Sequence, residues 1–185
     1  MLKDIGVDFS DYANADDIAA ELMGDAVTAG RDAQRIVVER RATALQSRKS
    51  FTYETVMSHH SHIEAMNLAR ENGFFVRLFF ISTDDPAINV ARVADRVAKG
   101  GHDVPIDRIV ARYYRTLTET LFPAICAADE TLVFDTTFDP SIGPLRVAHI
   151  IGRFARLWPD HRIAWPTIYL FPKIQADPDF IIAPA

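Results

Sequence analysis

The sequence predicts an α/β fold in which a mostly parallel sheet has helices on both faces. Short β-rich runs alternate along the 185 residues with longer amphipathic stretches. One run, Phe74–Ile81, is almost entirely apolar, as expected of a strand that is covered on both faces. Helices of this length between strands favour right-handed crossovers and hence parallel pairing.

Three further segments have strand patterns. Aromatic and polar residues alternate in Ser50–Val56, and Thr131–Asp135 is an apolar run that ends in a carboxylate. The period of Arg146–Leu157 fits either a helix or two strands, and Gly152 favours a hairpin turn between two strands. The proline-rich residues 158–185 are expected to be irregular, with Trp165–Phe171 as their most strand-like part.

Helices are predicted for the stretches between these strands. The first two cover Ala15–Met23 and Asp25–Gln46. A third begins near Ser61, where Ser61 and Glu64 have the spacing of a capping box, and ends at Gly73.

Two prolines mark the starts of the remaining predicted helices. The fourth helix opens at Pro86, with Asp85 as its candidate cap, and Gly100 with Gly101 stops it. The fifth has Pro105 in its first turn.

The composition excludes several classes of protein. Hydrophobic residues make up 49% of the chain, which is enough for a folded core, and the formal net charge of −5 argues against nucleic-acid or anionic-lipid partners. No apolar run approaches the roughly 18 residues of a membrane span. Five aspartates in the first 23 residues do not fit a secretory signal. The single cysteine, Cys126, excludes a disulfide scaffold, so a cytoplasmic location is expected.

Polar residues at the carboxyl ends of the predicted strands are candidates for a ligand site. They comprise Glu54 and Thr55, the Ser82–Asp85 segment and Asp135–Thr137, and an acidic cluster at Asn14–Asp17 precedes a helix. Each also has an ordinary structural interpretation, since Asp and Asn commonly cap helices.

Basic residues form two rows on neighbouring predicted helices. One row is Arg92, Arg96 and Lys99, and the other contains Arg108, Arg112 and Arg115. Such rows are usually solvated helix faces. These two flank a glycine-containing connection around His102, which would also suit the clamping of phosphate oxygens by guanidinium groups.

Three histidines, His59, His60 and His62, lie close together in the sequence. Helical spacing would put His59 and His62 on one side, as two metal ligands could be. No third ligand and no Cys pair is evident nearby, so no metal site is expected. His59 would then either contact a substrate or cap the helix.

Several segments together resemble the zeta-toxin-like family of P-loop small-molecule kinases. They are YANADDIA (Tyr12–Ala19), SFTYETVMSHHS (Ser50–Ser61), the run Phe74–Leu117, and the FDTT strand end at Asp135. The resemblance implies a three-layer P-loop-NTPase-like kinase domain over residues 1–145. Residues 146–185 would form a C-terminal hairpin and proline-rich tail packed on the same domain.

The family resemblance implies ATP- and magnesium-dependent transfer of phosphate to a hydroxyl of a sugar nucleotide such as UDP-N-acetylglucosamine. By matched position, Asp16 would accept the proton of the attacking hydroxyl and Arg92 or Arg96 would steady the transferred phosphate. The remaining candidates would bind the acceptor (Glu54, Thr55, Ser58 and His59) or contact phosphate as part of a lid (His102 and Arg112). An antitoxin is a possible partner of such a protein.

The sequence departs from the family in one important respect. No Gly-x-x-x-x-Gly-Lys-Ser/Thr segment occurs in it. In relatives the phosphate-binding strand and loop precede the part that resembles Met1–Asp17, so both are expected to be absent here. ATP and magnesium are then expected only of a version with the loop, and this chain should have little or no kinase activity.

Three explanations of the missing loop stay open: a wrongly chosen start codon, a degraded gene, or a protein that works without the loop. The alternative function is a non-catalytic protein that binds a sugar nucleotide or a partner, and the third possibility is a remnant without selected function. Loss of a central strand should also expose apolar surface. Self-association into a homo-oligomer, or insertion of Trp165–Phe171 as a substitute strand, would compensate.

Overall fold

The computed structural model describes residues 11–22, 26–101 and 103–184, so His102 lies outside the described residues. The chain divides into two compact units, residues 1–56 and residues 57–185. The predicted boundary between residues 145 and 146 falls within the second unit. The kinase domain over residues 1–145 and the C-terminal region over residues 146–185 therefore remain predictions.

The first unit consists of two short strands and two helices. In chain order these are β1 (Tyr12–Ala13), α1 (Ala15–Glu21), α2 (Ala26–Ser47) and β2 (Thr52–Tyr53). The strands pair in parallel, with Tyr12 opposite Thr52. Small and branched residues, Ala13, Ile18, Ala33 and Val37, form the buried core of this unit. The predicted strand Ser50–Val56 is correct in place but longer than the strand that forms.

The second unit contains a five-stranded sheet. Its strands are β3 (Arg77–Ser82), β4 (Glu130–Asp135), β5 (Leu145–Ile151), β6 (Phe154–Leu157) and β7 (Ile181–Ile182), in the spatial order β3-β4-β5-β6-β7. The β3–β4 and β6–β7 pairs are parallel, and β5 is antiparallel to both of its neighbours. Counting β1–β2, three of the five pairings in the described residues are parallel, which confirms a mixed α/β fold with mostly parallel pairing.

The hairpin predicted between Arg146 and Leu157 is confirmed. Strands β5 and β6 are antiparallel, with Ile151 opposite Phe154 across the turn. Gly152 in that turn has a φ of +56°, in the left-handed region that favours glycine. The turn at Gly152 therefore makes this segment two strands rather than the helix that the sequence also allowed.

The described residues of the second unit form five α-helices, and a side chain caps the start of the second of these. They are α3 (Ser61–Glu71), α4 (Pro86–Ala98), α5 (Ile106–Arg115), α6 (Leu121–Ala127) and α7 (Phe171–Ala176). π-Helical segments, Thr116–Thr120 and Pro166–Leu170, lead into α6 and α7. The carboxylate of Asp85 accepts a hydrogen bond from the Ala87 amide at 2.7 Å and caps α4 as predicted. Pro105 is the residue before α5 rather than part of its first turn.

The main core of the second unit joins these helices to the sheet. Leu117, Leu121 and Ile125 pack in one cluster with Val133 and Ile150 of the sheet, and all five are at most 1% exposed. Fully burying an aliphatic side chain of this size contributes about 1.5–3 kcal/mol. This core holds the carboxyl ends of β3 and β4 in place. None of the helices in the described ranges is long and apolar enough to cross a membrane.

Two predictions for the C-terminal region are wrong. Trp165–Phe171 is helical rather than a substitute strand, and residues 166–176 and 181–182 are regular rather than irregular. Pro166 and Pro172 both occupy first-turn positions, where a missing amide hydrogen has no cost. The Trp165 amide also donates to the carboxylate of Asp84, so a distant residue caps this helix.

The capping box predicted at Ser61 and Glu64 is also wrong. Ser61 is the first residue of α3, and the capping position is His60, which makes no side-chain hydrogen bond there. Gly73, with a φ of +81°, follows the end of this helix as predicted.

Candidate functional site

Two predicted site residues of the first unit, Asp16 and Glu54, are connected through one side chain. Asp16 lies exposed in the first turn of α1, and its backbone amide donates to Oδ1 of Asn14 at 2.8 Å. The Nδ2 group of Asn14 donates to Oε2 of Glu54 at 3.1 Å. The start of α1, which bears Asp16, and the polar end of β2 are therefore joined through Asn14.

Tyr12 completes this group. Its hydroxyl donates to Oε2 of Glu54 at 2.5 Å, and Nδ2 of Asn14 lies 3.2 Å from the same hydroxyl. The parallel register explains the contact, since Glu54 follows β2 directly and its amide donates to the Ala13 carbonyl at 3.1 Å. Burial, and then the hydrogen bond to Glu54, raises the pKa of Tyr12 to about 12. Tyr12 is thus a neutral donor at physiological pH.

The other predicted acceptor-binding residues have different surroundings. Thr55 is half-buried directly after Glu54. Ser58 is half-buried and His59 is exposed, and both belong to the second unit. Nδ1 of His59 accepts the Ser61 amide at 3.2 Å and lies 2.9 Å from Ser61 Oγ. His59 therefore caps the start of α3, one of the two roles open to it, and its contact with a substrate stays a prediction.

The predicted arginines of the second unit, Arg92 and Arg96, line one surface depression of about 490 Å³. Its lining residues are Arg92, Asp95, Arg96, Lys99, Gly100 and Gly101. Lys99 lies 4.0 Å from the Asp95 carboxylate. Three cations and one anion face this depression, so its charge suits an anionic group. Arg112 lies half-buried in the last turn of α5 and is not among the lining residues.

Arg92 is oriented by the end of β4. One guanidinium nitrogen donates to Oγ1 of Thr136 at 3.1 Å, and the other donates to the Thr136 carbonyl. Thr136 Oγ1 in turn donates to the Ser82 carbonyl at 3.2 Å. The polar strand ends singled out in the sequence thus position an arginine.

The glycine pair after α4 is required by the local geometry. Gly100 has a φ of +86°, and the Gly101 amide donates to the Arg96 carbonyl at 2.8 Å. A Cβ atom at Gly101 would lie 2.5 Å from Cγ of Arg96 and 2.9 Å from its carbonyl oxygen. Only glycine at this position lets the chain turn closely around Arg96.

A buried polar network lies under the ends of β3 and β4. Asp135 is fully buried, and its carboxylate accepts from the Thr137 amide at 2.8 Å and from Nε1 of Trp165 at 2.9 Å. Asp84 accepts the Ala164 and Trp165 amides at 2.5 and 2.9 Å. The hydroxyl of Tyr113 donates to the Thr83 carbonyl at 2.8 Å, and burial foremost raises the pKa of this phenol. These contacts make the strand ends a rigid support for Thr136.

The described residues do not fit a bound magnesium ion. Within the described ranges, no group of three or more His, Cys, Asp or Glu side chains is placed to hold a metal. The depression at Arg92 and Arg96 suits phosphate oxygens by charge, but it offers no carboxylate cluster for a divalent cation. No step is therefore assigned to magnesium.

Comparison with known proteins identifies the family. The family model described as zeta toxin matches residues 11–139, which is more than half of the chain. This chain belongs to the zeta toxin family. Membership indicates a kinase-like domain, and the match includes the groups around Asp16 and Glu54 and around Arg92 and Arg96.

A relative and the solved structures add little to the family match. An uncharacterized protein of Haemophilus influenzae is 37% identical over 82 residues, or 44% of this chain, and the chain spans 59% of that protein's length. No solved structure matches the chain.

Sequence reasoning missed one member of this candidate site. Tyr12 lies in the YANADDIA segment but was not singled out, and Asn14 was considered as part of an acidic cluster and as a helix cap. One residue, Ala13, separates Tyr12 from Asn14, so both side chains lie on the same face of the chain at β1. This spacing next to a predicted parallel strand that ends in Glu54 was the available signal.

Proposed function

We propose that this zeta toxin family chain binds a sugar nucleotide through Asp16 and Glu54 and prepares one of its hydroxyls for phosphorylation. The observation that supports this most strongly is the Asn14 side chain, which bonds both the Asp16 amide and the Glu54 carboxylate. A sugar presents several hydroxyls, and the carboxylates of Asp16 and Glu54 can accept hydrogen bonds from them.

Asp16 is proposed as the general base. A carboxylate within hydrogen-bond reach of an attacking hydroxyl can accept its proton as the new bond forms. Asp16 is exposed in the first turn of α1, where an acceptor can approach it from solvent. Glu54 and Thr55 would orient the acceptor relative to it. Ser58 and His59 are proposed as acceptor contacts on the family resemblance alone.

Arg92 and Arg96 are proposed to contact phosphate oxygens. Guanidinium groups are permanently charged and donate in a planar fork that matches phosphate. Arg92 is held by Thr136, so its binding to an anion costs less side-chain ordering than that of a mobile arginine. Arg112 and His102 are proposed as additional phosphate or lid contacts on the family resemblance alone.

We propose that this 185-residue chain by itself does not turn over ATP. It contains no Gly-x-x-x-x-Gly-Lys-Ser/Thr sequence, whose amides and lysine would cradle the phosphates. The acceptor-binding group around Glu54 is built within residues 12–54 and does not depend on such a loop. This observation favours, as second candidate, a protein that binds a sugar nucleotide without phosphorylating it.

We also propose an antitoxin partner, on the ground of family membership, and a cytoplasmic location, on the ground of the single cysteine. Self-association is proposed because the sequence predicts exposed apolar surface.

The proposed function is tested by calorimetric titration of the chain with UDP-N-acetylglucosamine and, separately, with ATP–magnesium. The sugar nucleotide should bind, and Glu54→Gln should weaken binding at least about 10-fold, as for loss of a charge-assisted hydrogen bond. ATP–magnesium should give no binding heat. Glu21→Gln is the matched control, because Glu21 is an exposed carboxylate at the end of α1, and it should leave affinity unchanged.

Two results would contradict these proposals. Absence of sugar-nucleotide binding, or equal affinity in the Glu54 variant, would remove the acceptor site. Tight ATP binding, with phosphate transfer in a coupled assay, would show that the chain turns over ATP by itself.

A further inference from the structure

Two donors converge on one oxygen of Glu54. The Tyr12 hydroxyl is 2.5 Å from Oε2, and Nδ2 of Asn14 is 3.1 Å from the same atom. Within the described residues neither donor reaches the other oxygen, Oε1. The carboxylate is therefore used asymmetrically, with one oxygen taken by the protein.

The arrangement follows from the parallel pairing of β1 and β2. Tyr12 is opposite Thr52 in the register, and side chains two residues further along a strand lie on the same face. Tyr12 therefore reaches diagonally to Glu54, and Asn14, at the end of β1, reaches it directly. A shift of one residue in the register would move Glu54 away from Tyr12 and Asn14.

The direction of the hydrogen bond from Tyr12 is set by chemistry. An ionised carboxylate accepts only, so the phenol must be the donor. Burial and the neighbouring Glu54 raise the pKa of Tyr12 to about 12, so the phenol keeps its proton over the whole physiological range. The hydrogen bond from Tyr12 therefore persists throughout this pH range, and together with the bond from Asn14 it clamps Glu54.

Asn14 extends this clamp to the proposed base. Its Oδ1 atom caps α1 by accepting the Asp16 amide at 2.8 Å, while its Nδ2 atom bonds Glu54 and Tyr12. Because an amide group is planar, the two contacts fix each other's direction. Rotation of Glu54 would thus break its bond to the side chain that caps the helix bearing Asp16.

We propose that Tyr12 and Asn14 are positioning residues that occupy Oε2 of Glu54 and so direct Oε1 to a hydroxyl of the acceptor. This inference rests on the proposed function, because it assigns the orientation of the same acceptor site. Tyr12 and Asn14 touch Glu54 and act through it.

The experiment combines a ligand-free signature with binding. With 13C labelling at tyrosine Cζ, NMR of the chain should give a Tyr12 signal that responds to the hydrogen bond with Glu54. This signal should be missing from Tyr12→Phe, shifted in Glu54→Gln and unchanged in Tyr114→Phe, the matched control, where Tyr114 is 43% exposed in the second unit. In parallel, affinity for UDP-N-acetylglucosamine is measured by calorimetry in each variant.

Affinity should fall about 5- to 10-fold in Tyr12→Phe, because a freed carboxylate must be ordered when the ligand binds, and should be unchanged in Tyr114→Phe. Asn14→Ser is the second variant. Serine still caps α1 but lacks the amide hydrogens that reach Glu54, so this change tests the clamp with the helix start preserved. A similar loss of affinity, with an unchanged circular dichroism spectrum, is expected.

The possible outcomes separate the two proposals. If wild type binds and Glu54→Gln does not, but Tyr12→Phe and Asn14→Ser bind like wild type, the positioning role is overturned and the proposed function stands. A Tyr12 signal that is identical in wild type and in Glu54→Gln also overturns the positioning role, whatever the affinities. If wild type binds no sugar nucleotide, the proposed function fails and the positioning role fails with it.

Discussion

Glu130 is held between two basic side chains at the amino end of β4. Its carboxylate lies 2.6 Å from Nε of Arg77 on the paired strand β3 and 2.8 Å from Nε2 of His149 on β5. Burial alone would raise the pKa of Glu130, but the hydrogen bonds from His149 and Arg77 outweigh it and lower the pKa below 4.5. A carboxylate with a lowered pKa stabilises the fold only where it is ionised.

Glu130→Gln should therefore lower the free energy of unfolding by about 1–2 kcal/mol at pH 7. The unfolded state binds more protons below pH 4.5, so the advantage of wild type is full above that pH and shrinks as pH falls. Urea titrations between pH 3 and 7 measure this difference. Glu71→Gln, at the exposed end of α3, is the control and should change stability little. A difference that stays constant with pH would contradict the account of the ion pair.

At the scale of elements, the sequence predicted well where local chemistry decides. The apolar run of β3, the hairpin at Gly152 and the cap at Asp85 all rest on neighbours in the chain. The glycine pair that ends α4 belongs to the same group. Its consequence for Arg96 did not follow from the sequence, because the distance from Gly101 to that side chain depends on how tightly the helix end turns.

Gly101→Ala should lower the stability of the second unit by about 1–2 kcal/mol and displace Arg96. The added methyl would lie 2.5 Å from Cγ of Arg96 and 2.9 Å from its carbonyl, and the carbonyl cannot move freely. Urea unfolding followed by tryptophan fluorescence measures this, since Trp158 and Trp165 both lie in the second unit.

Gly30→Ala is the matched control for the glycine variant. Gly30 lies within α2 and a Cβ there meets nothing within 4 Å. Alanine should therefore leave stability unchanged or raise it by about 0.5–1 kcal/mol, as seen by circular dichroism. If Gly101→Ala were equally harmless, the close turn around Arg96 would be disproved.

At the scale of the whole molecule, the C-terminal segment supports the strand ends of the second unit. Asp84 caps the helix that starts at Trp165, and the indole of Trp165 donates to the buried carboxylate of Asp135. The Trp165 ring also packs edge-on against Phe80 at 6.0 Å. Residues about 80 positions apart thus stabilise the base on which Thr136 holds Arg92.

Trp165→Phe should lower the free energy of unfolding by about 2–4 kcal/mol, because it leaves a cavity and deprives the buried carboxylate of Asp135 of a donor. Circular dichroism in urea is the measurement, since fluorescence changes with the tryptophan itself. Trp158→Phe, at a half-buried ring under Arg146, should cost less than about 1.5 kcal/mol. Equal losses in the two variants would disprove the support role of Trp165.

The sequence by itself determined the alternation of strands and helices, the resemblance to the zeta toxin family and most of the candidate residues. The alternation depends on periodicity, caps and turns, and the resemblance and the candidate residues depend on short motifs; all of these are encoded within a few positions. Only the tertiary structure decided that Tyr12 and Asn14 share one oxygen of Glu54, and that Trp165–Phe171 is helical. The first depends on the register of two strands about 40 residues apart and the second on a cap from Asp84. Local pattern does not record contacts between residues so distant in the chain.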